Sequence, residues 1–277
     1  MSIGRKLYNR NAWWSVAILC AILLASLVPI AWMAVSAFKV DSEINSIPPT
    51  LLPRSFTFEN FAQLFSQFGF ATLTINSIIV SAVVVTLSLV IGGSAAYGLS
   101  RYRFPGSGLL LTGILLLRMI TPASLILPLY LLMDSLRLAN TLAAVAIGIT
   151  VLNLPLVVWL LKPFFDAMPK EVEEAALIDG LGPTGVWWRI AVPMAGSGFK
   201  TVALFSFVAA WTDLLIPLTM STRVDGWTLP AGIMQMQTGF KIYWGALMAG
   251  GLYLTIPTFL IAFVGQKYLV QGVRSST

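Results

Sequence analysis

Few side chains in this sequence of 277 residues can do chemistry. It has no histidine, the commonest general base and metal ligand, so a Ser–His triad and a His-ligated zinc are excluded. The single cysteine, Cys20, allows neither a disulfide framework nor a cysteine metal cluster. Inside the apolar stretches only two charges stand, Arg118 and Asp213. A charge at mid-membrane costs about 2.5–3.5 kcal/mol even on the mildest scale, so neither is expected to face lipid. An ion pair between helices and a polar lining for a solute path both fit the two residues. Pro122, close to Arg118 and Met119, and Trp211, close to Asp213, incline the reading to the path. Asn76 and Asn153 are further polar groups expected in or near spans, where interhelical hydrogen bonding competes with solute contact.

The other chemically active cluster is acidic. Pro169 suits a first helical position, and Glu171, Glu173 and Glu174 fall in the opening turns, where the helix dipole favours acids. Gly180 fits a left-handed cap, and a second helix can start at Pro183 and stop by Pro193. Ala175 and Ala176 let such a helix lie close against a partner, while Glu174 and Asp179 offer charges for docking. The segment Gly196-Ser197-Gly198-Phe199-Lys200-Thr201 is the nearest approach to a phosphate loop. Phe199 stands where glycine must precede the lysine, so it reads as a flexible hinge instead.

These residues need elements to hold them, and the composition says which. Hydrophobic residues make up 57% and charged residues 10%, with a mean hydropathy of +0.86. A soluble domain carries about 25% charged residues. About 20 apolar residues span a bilayer core, which predicts six spans near 13–38, 73–99, 109–133, 141–161, 201–220 and 244–266. The first could pass for a secretory leader, but a leader's apolar core is only about 7–15 residues long. The run here is much longer, so the helix is expected to stay.

Lysine and arginine set the orientation. Arg5, Lys6, Arg10, Arg101, Arg103, Lys162, Lys170, Arg189, Lys200, Lys267 and Arg274 fall on one side, against Lys39, Arg54, Arg137, Arg223 and Lys241 on the other. The positive-inside rule places both termini, and the acidic loop of 162–200, in the cytoplasm. The net charge of +6 follows from this topology and calls for no nucleic acid. Outside, a loop from Lys39 to about Ala71 begins extended at Ser46-Ile47-Pro48-Pro49. Within it Thr57 is placed to cap a short amphipathic helix with Phe58, Phe61 and Phe65 on one face. The Gly92-Gly93 pair permits close helix contact, Pro122, Pro128 and Pro155 mark kinks or breaks, and the Trp13-Trp14 and Trp187-Trp188 pairs suit a membrane interface.

At the cytoplasmic loop a resemblance becomes specific. Glu174-Ala175-Ala176, three residues, Gly180, nine residues, Ile190, one residue, Val192-Pro193 is similar to the coupling-loop motif of ABC importer permeases, EAA-x3-G-x9-I-x-L-P. Val192 replaces leucine, and Ser197 stands where a second proline is frequent. In order along the chain, Ser36-Ala37-Phe38-Lys39, Thr57-Phe58-Glu59-Asn60-Phe61, Asn76-Ser77, the stretch from Ala96 to Gly106, Leu127-Pro128-Leu129-Tyr130, Asn140-Thr141 and Trp211-Thr212-Asp213 resemble the carbohydrate-uptake branch, the maltose-type small permease. Thr212 departs from the usual asparagine.

The resemblance implies an all-α polytopic membrane protein with six transmembrane helices and a cytoplasmic coupling helix, the type I ABC importer permease fold. It divides the chain into 1–71 (tail, first span and external loop), 72–267 (the five-helix permease core) and 268–277 (a cytoplasmic tail). It assigns ATPase coupling to Glu171, Glu174, Ala175, Ala176, Asp179, Gly180, Ile190 and Pro193. It implies a sugar or polyol as solute and a bacterial or archaeal cell membrane as location. The implied partners are a second homologous permease subunit, two ABC ATPases, an extracytoplasmic solute-binding protein and membrane lipid. No cofactor is expected on this chain, ATP and Mg being held by the ATPases. An ion-coupled secondary transporter is the competing reading. No inverted repeat supports it, and proton-relay acids are almost absent from the spans. An intramembrane enzyme fares worse without histidine.

Overall fold

The structure, a computed structural model, describes residues 3–102, 104–117 and 119–274. Arg118 lies outside the described residues, and with it one half of the expected pair with Asp213. Among the described residues regular structure is helical, apart from one isolated antiparallel bridge between Gln237 and Ile242. Four helices are long and apolar enough to cross a membrane: Trp13–Ala37, Phe70–Arg101, Leu142–Asp166 and Trp244–Phe263. Two bent pairs, each counted as one span, raise the number to six. Leu19, Leu23 and Val28 of the first helix are exposed. A helix apolar all round is what lipid, rather than water, tolerates as a neighbour.

The third and fifth spans are not the continuous helices expected. The third is Ser107–Leu117 followed by Pro122–Ser135, at 101° to each other. Thr121 is extended, as a residue before proline prefers, and Pro122 takes a first helical position. Pro128 and Pro155, by contrast, sit inside unbroken helices. The fifth is Gly196–Thr212, bent at 80° from the Pro183–Met194 helix with which it is paired. Beyond it the chain turns extended at Asp213 (ψ 125°) and restarts as Leu215–Met220. Asp213 Oδ1 accepts the Ile216 N–H at 2.9 Å, so the side chain that breaks the span also caps its continuation.

The chain divides into two compact units. One comprises 1–68 with 235–255. Here Asn60 is buried, its side-chain amide donating to the carbonyls of Ala37 and Lys39 at 2.9 and 2.8 Å. A side chain at Gly245 would collide with it. The helix Glu59–Ser66 has Phe58 rather than Thr57 at its N-cap, though Thr57 Oγ1 accepts the Glu59 N–H. It buries Asn60 and Leu64, whereas Phe58 and Phe65 stay exposed.

Glu43 staples the loop before that helix. It accepts the Thr50 hydroxyl at 2.6 Å and the Arg54 N–H at 2.9 and 3.1 Å. The Thr50 hydroxyl above all, then the Arg54 N–H and the charges of Lys39 and Arg54, outweigh burial and hold its carboxyl below the usual 4.5. A depressed carboxylate stabilises above its unfolded value and is lost as pH falls through the folded one. The amide-exchange protection factor across 40–54, which removes the intrinsic pH dependence of exchange, should therefore be high at neutral pH and fall below about pH 4.5. Thr50→Val should lower the protection at neutral pH. A protection factor at 40–54 that stays level from pH 7 to pH 3 would remove the staple.

The second unit is 69–234 with 256–277. One core gathers Val80, Val84, Ala144, Ile149, Ala210 and Ile216. Another gathers Ala96, Val157, Leu161, Phe165, Ala191 and Val202, with Tyr97, Trp187 and Phe199 packed against it. Trp187 is thus a core aromatic, 5.0 Å from the Tyr97 ring, while Trp188 is 57% exposed. Gly92 and Gly93 let neighbours approach within the chain itself: a side chain at Gly92 would strike Val157, and one at Gly93 would press Phe199. Two wide π-helical turns, Ser88–Gly92 and Trp187–Ala191, interrupt α geometry.

Candidate functional site

The loop expected over 162–200 is shorter than that. The fourth span runs through Lys162 and Pro163 to Asp166, and the fifth already starts at Gly196. Gly196 and Gly198 are helical from the first turn, and Gly198 is where the Phe164 ring packs, at 2.7 Å from any added Cβ. Close approach, not a hinge, explains that glycine.

Between these ends lies the short helix Lys170–Ile178. Pro169 is its N-cap, one position earlier than expected. Gly180 has φ +89°. Its N–H donates to the Leu177 carbonyl at 3.1 Å and the Leu181 N–H donates to the Ala176 carbonyl at 3.0 Å, the paired bonds of a Schellman stop. No atom lies within 4 Å of a Cβ at Gly180, so an alanine there meets only the conformational penalty, about 1–2 kcal/mol. Gly180→Ala should speed amide exchange around 176–183 about tenfold and lower uptake at normal membrane abundance. Unchanged exchange would show that this turn is not held by its glycine.

Pro183 opens the next helix at its first position, as expected. Pro193 does not close it, for the helix continues to Met194. The reason is the wide turn before it. Val192 N–H reaches back to the Trp187 carbonyl, and the loosened ladder accommodates a residue with no N–H of its own.

The short helix has a fixed back and an open front. Glu173 and Ala176 are buried. Arg101 Nη2 and Nε both lie 2.8 Å from Glu173 Oε1, and the Tyr97 hydroxyl donates to Oε2 at 2.8 Å. Arg101 Nη2 also donates to the Met168 carbonyl at 3.2 Å. The ion pair is enclosed, at 8% and 9% side-chain exposure. Glu171, Val172, Glu174, Ala175, Ile178, Asp179 and Gly180 are exposed, as is Pro193, while Ile190 is half-buried. The sequence reading missed Glu173 as the anchor. Its partner Arg101 is 72 residues away, and no local spacing signals that meeting.

The polar residues of the spans part company. Asn153 and Asp213 line one crevice of about 180 Å³, together with Leu117, Ile120, Pro122 and Leu125. Asn153 donates to the Ser88 and Ser206 hydroxyls at 3.1 and 2.7 Å, tying three helices. Asn76 lies elsewhere, its amide donating to the Asp225 and Trp227 carbonyls at 2.7 and 2.8 Å. Trp211 is buried and stacked on Phe207 at 5.5 Å, and Met119 is 80% exposed; neither lines the crevice.

Comparison with known proteins agrees with this arrangement. The family model described as the binding-protein-dependent transport system inner membrane component matches residues 88–275. The chain is 32% identical over 259 residues to the inner membrane ABC transporter permease protein YcjP of Escherichia coli, covering 93% of this chain and 92% of that one. It is 30% identical to the trehalose transport system permease protein SugB of Mycobacterium tuberculosis, over 96% and 97% of the two chains. It is 33% identical to the trehalose/maltose transport system permease protein MalG of Thermococcus litoralis, over 94% and 93%. Its fold matches that of a bacterial ABC transporter involved in the import of the acidic polysaccharide alginate, with a TM-score of 0.78 at 19% identity, covering 97% and 98%. A polytopic helical membrane chain with a braced short helix, matched along nearly its whole length, belongs to the inner membrane components of binding-protein-dependent transport systems: it is a permease subunit of an ABC importer, not an enzyme.

Proposed function

We propose that the chain carries a sugar or related polyol into the cytoplasm, driven by two separate ATPases that dock on the Lys170–Ile178 helix. The observation carrying this reading is that helix's geometry. Its back is bonded to the end of the second span through Arg101 and Tyr97, while Glu171, Val172, Glu174 and Ile178 project outward. A short helix braced to a span and open to a partner is a lever. Closure of the partner shifts the population between inward-open and outward-open states. The trehalose and maltose named for relatives support the solute class. Both termini lie in the cytoplasm, a second homologous permease completes the pathway, and an extracytoplasmic binding protein delivers the solute. ATP and Mg belong to the ATPases, with no cofactor on this chain. The ion-coupled alternative gains nothing from relatives that are themselves ABC transporter permeases. Reconstitution with the co-encoded subunits tests the reading. The Glu174→Lys, Gly180→Ala double variant should assemble yet lose solute-stimulated ATP turnover, and normal turnover would end the coupling assignment.

A further inference from the structure

The external end of the first span carries a cleft of about 250 Å³ that no step above uses, lined by Trp32, Lys39, Glu43, Asn45 and Trp244 among others. Lys39 is only 2% exposed. Its ammonium donates to the Thr50 carbonyl and lies 4.6 Å from the centre of the Trp32 ring. Glu43 is 8% exposed and sits in the same lining, bonded to Thr50 and the Arg54 N–H. Two buried opposite charges thus share one cleft with two indoles. Stapling the loop explains why Lys39 and Glu43 touch Thr50. It does not explain why they also border open space across from Trp244, which is 37% exposed.

The chemistry of that lining selects a ligand class. An ammonium supplies donors and no acceptor, a carboxylate acceptors and no donor, and the Asn45 side chain has both. Hydroxyl groups, each donor and acceptor, can use all three. An anion would meet Glu43 and a cation would meet Lys39, so the balanced pair favours a neutral ligand. Indole rings offer apolar surface to a C–H face. A mostly apolar cleft with a few convergent polar groups is how small-molecule sites are built.

We propose that this cleft holds one neutral sugar ring of the transported solute on the outer side, before it crosses. The inference rests on the carbohydrate reading above, and the test separates the two. The importer, assembled with its co-encoded subunits in nanodiscs free of glycolipid and maltoside detergent, is first assayed for uptake or ATPase stimulation with a panel of neutral mono- and disaccharides and polyols that includes trehalose, maltose and diacetylchitobiose. No member of the panel stimulating turnover would overturn the carbohydrate reading, and the ring assignment with it. With an active sugar, saturation-transfer NMR measures its contact with the complex in the absence of the binding protein. Trp244→Leu should weaken that binding about tenfold, and Lys39→Gln should do the same. Trp13→Leu, at the other end of the first span and outside the lining, should leave it within about twofold. Should Lys39→Gln disorder the loop, Trp244→Leu alone decides. Undiminished transfer in Trp244→Leu, with the complex intact and the sugar active, overturns the outer site while the carbohydrate reading stands.

Discussion

Glu173→Ala should cost about 3–5 kcal/mol and uncouple transport from ATP turnover, because it strands a buried guanidinium. Arg101 is 8% exposed on its side chain, and its bonds run to Glu173, the Met168 carbonyl and the Ser100 hydroxyl. Removing the carboxylate leaves that charge with one carbonyl, a long bond to a hydroxyl at 3.4 Å and the face of Tyr97, 5.9 Å from its ring centre. The Tyr97 hydroxyl loses its acceptor as well. Thermal unfolding of the assembled importer should drop, and the Lys170–Ile178 helix should become sensitive to protease in the absence of nucleotide. Tyr97→Phe removes one hydrogen bond and should cost only about 0.5–1.5 kcal/mol. The contrast between the two variants is the diagnostic. Equal and small losses would mean that the helix is held by its apolar contacts, and that Glu173 is a bystander.

The second large effect is expected at Asp213, where two jobs can be pulled apart. Asp213→Asn keeps an oxygen for the Ile216 N–H and removes the charge from the crevice shared with Asn153. On the reading that the solute passes this crevice and bonds to the carboxylate, a charge-assisted hydrogen bond worth about 1.5–3 kcal/mol is lost and uptake should fall about tenfold to a hundredfold at normal abundance. Asp213→Leu removes cap and charge together, and both abundance and uptake should fall. Transport at the normal rate by the asparagine variant would restrict Asp213 to ending and restarting a helix.

The two sites differ in how far the sequence disclosed them. Pro169, Gly180 and Pro183 act on their own backbone, by a fixed φ or by tolerance of a left-handed one, so the short helix was readable to within a residue. The long uncharged runs disclosed the first, second, fourth and sixth spans for a similar reason, since lipid rewards length and apolarity directly. What pairing decides stayed hidden. Glu173 looked like one of three acids in a first turn until Arg101 and Tyr97 closed on it. The break at Asp213 had a local signal in Pro217, four residues on, which has no N–H for the Asp213 carbonyl. What stayed hidden there is the carboxylate turning back onto an N–H three residues on, a local bond that competes with the helix.

The wide turn at Ser88–Gly92 separates two properties that a helix normally ties together, its length and its facing. Val84, Ser88, Gly92 and Ala96 are all buried and recur every fourth residue. In α geometry each such step drifts about 40°, so the stripe should wander off its neighbour. The extra residue in the turn takes up that drift. Deleting one residue between 88 and 92 would therefore only tighten the turn to an ordinary α one, with the outer and inner stripes still aligned. The same deletion at Val80 or at Ala96 would swing everything beyond it by about 100°. Tolerance to a lost residue in this span is concentrated in five positions, and the Arg101 end keeps its aim on Glu173 only when the loss falls there.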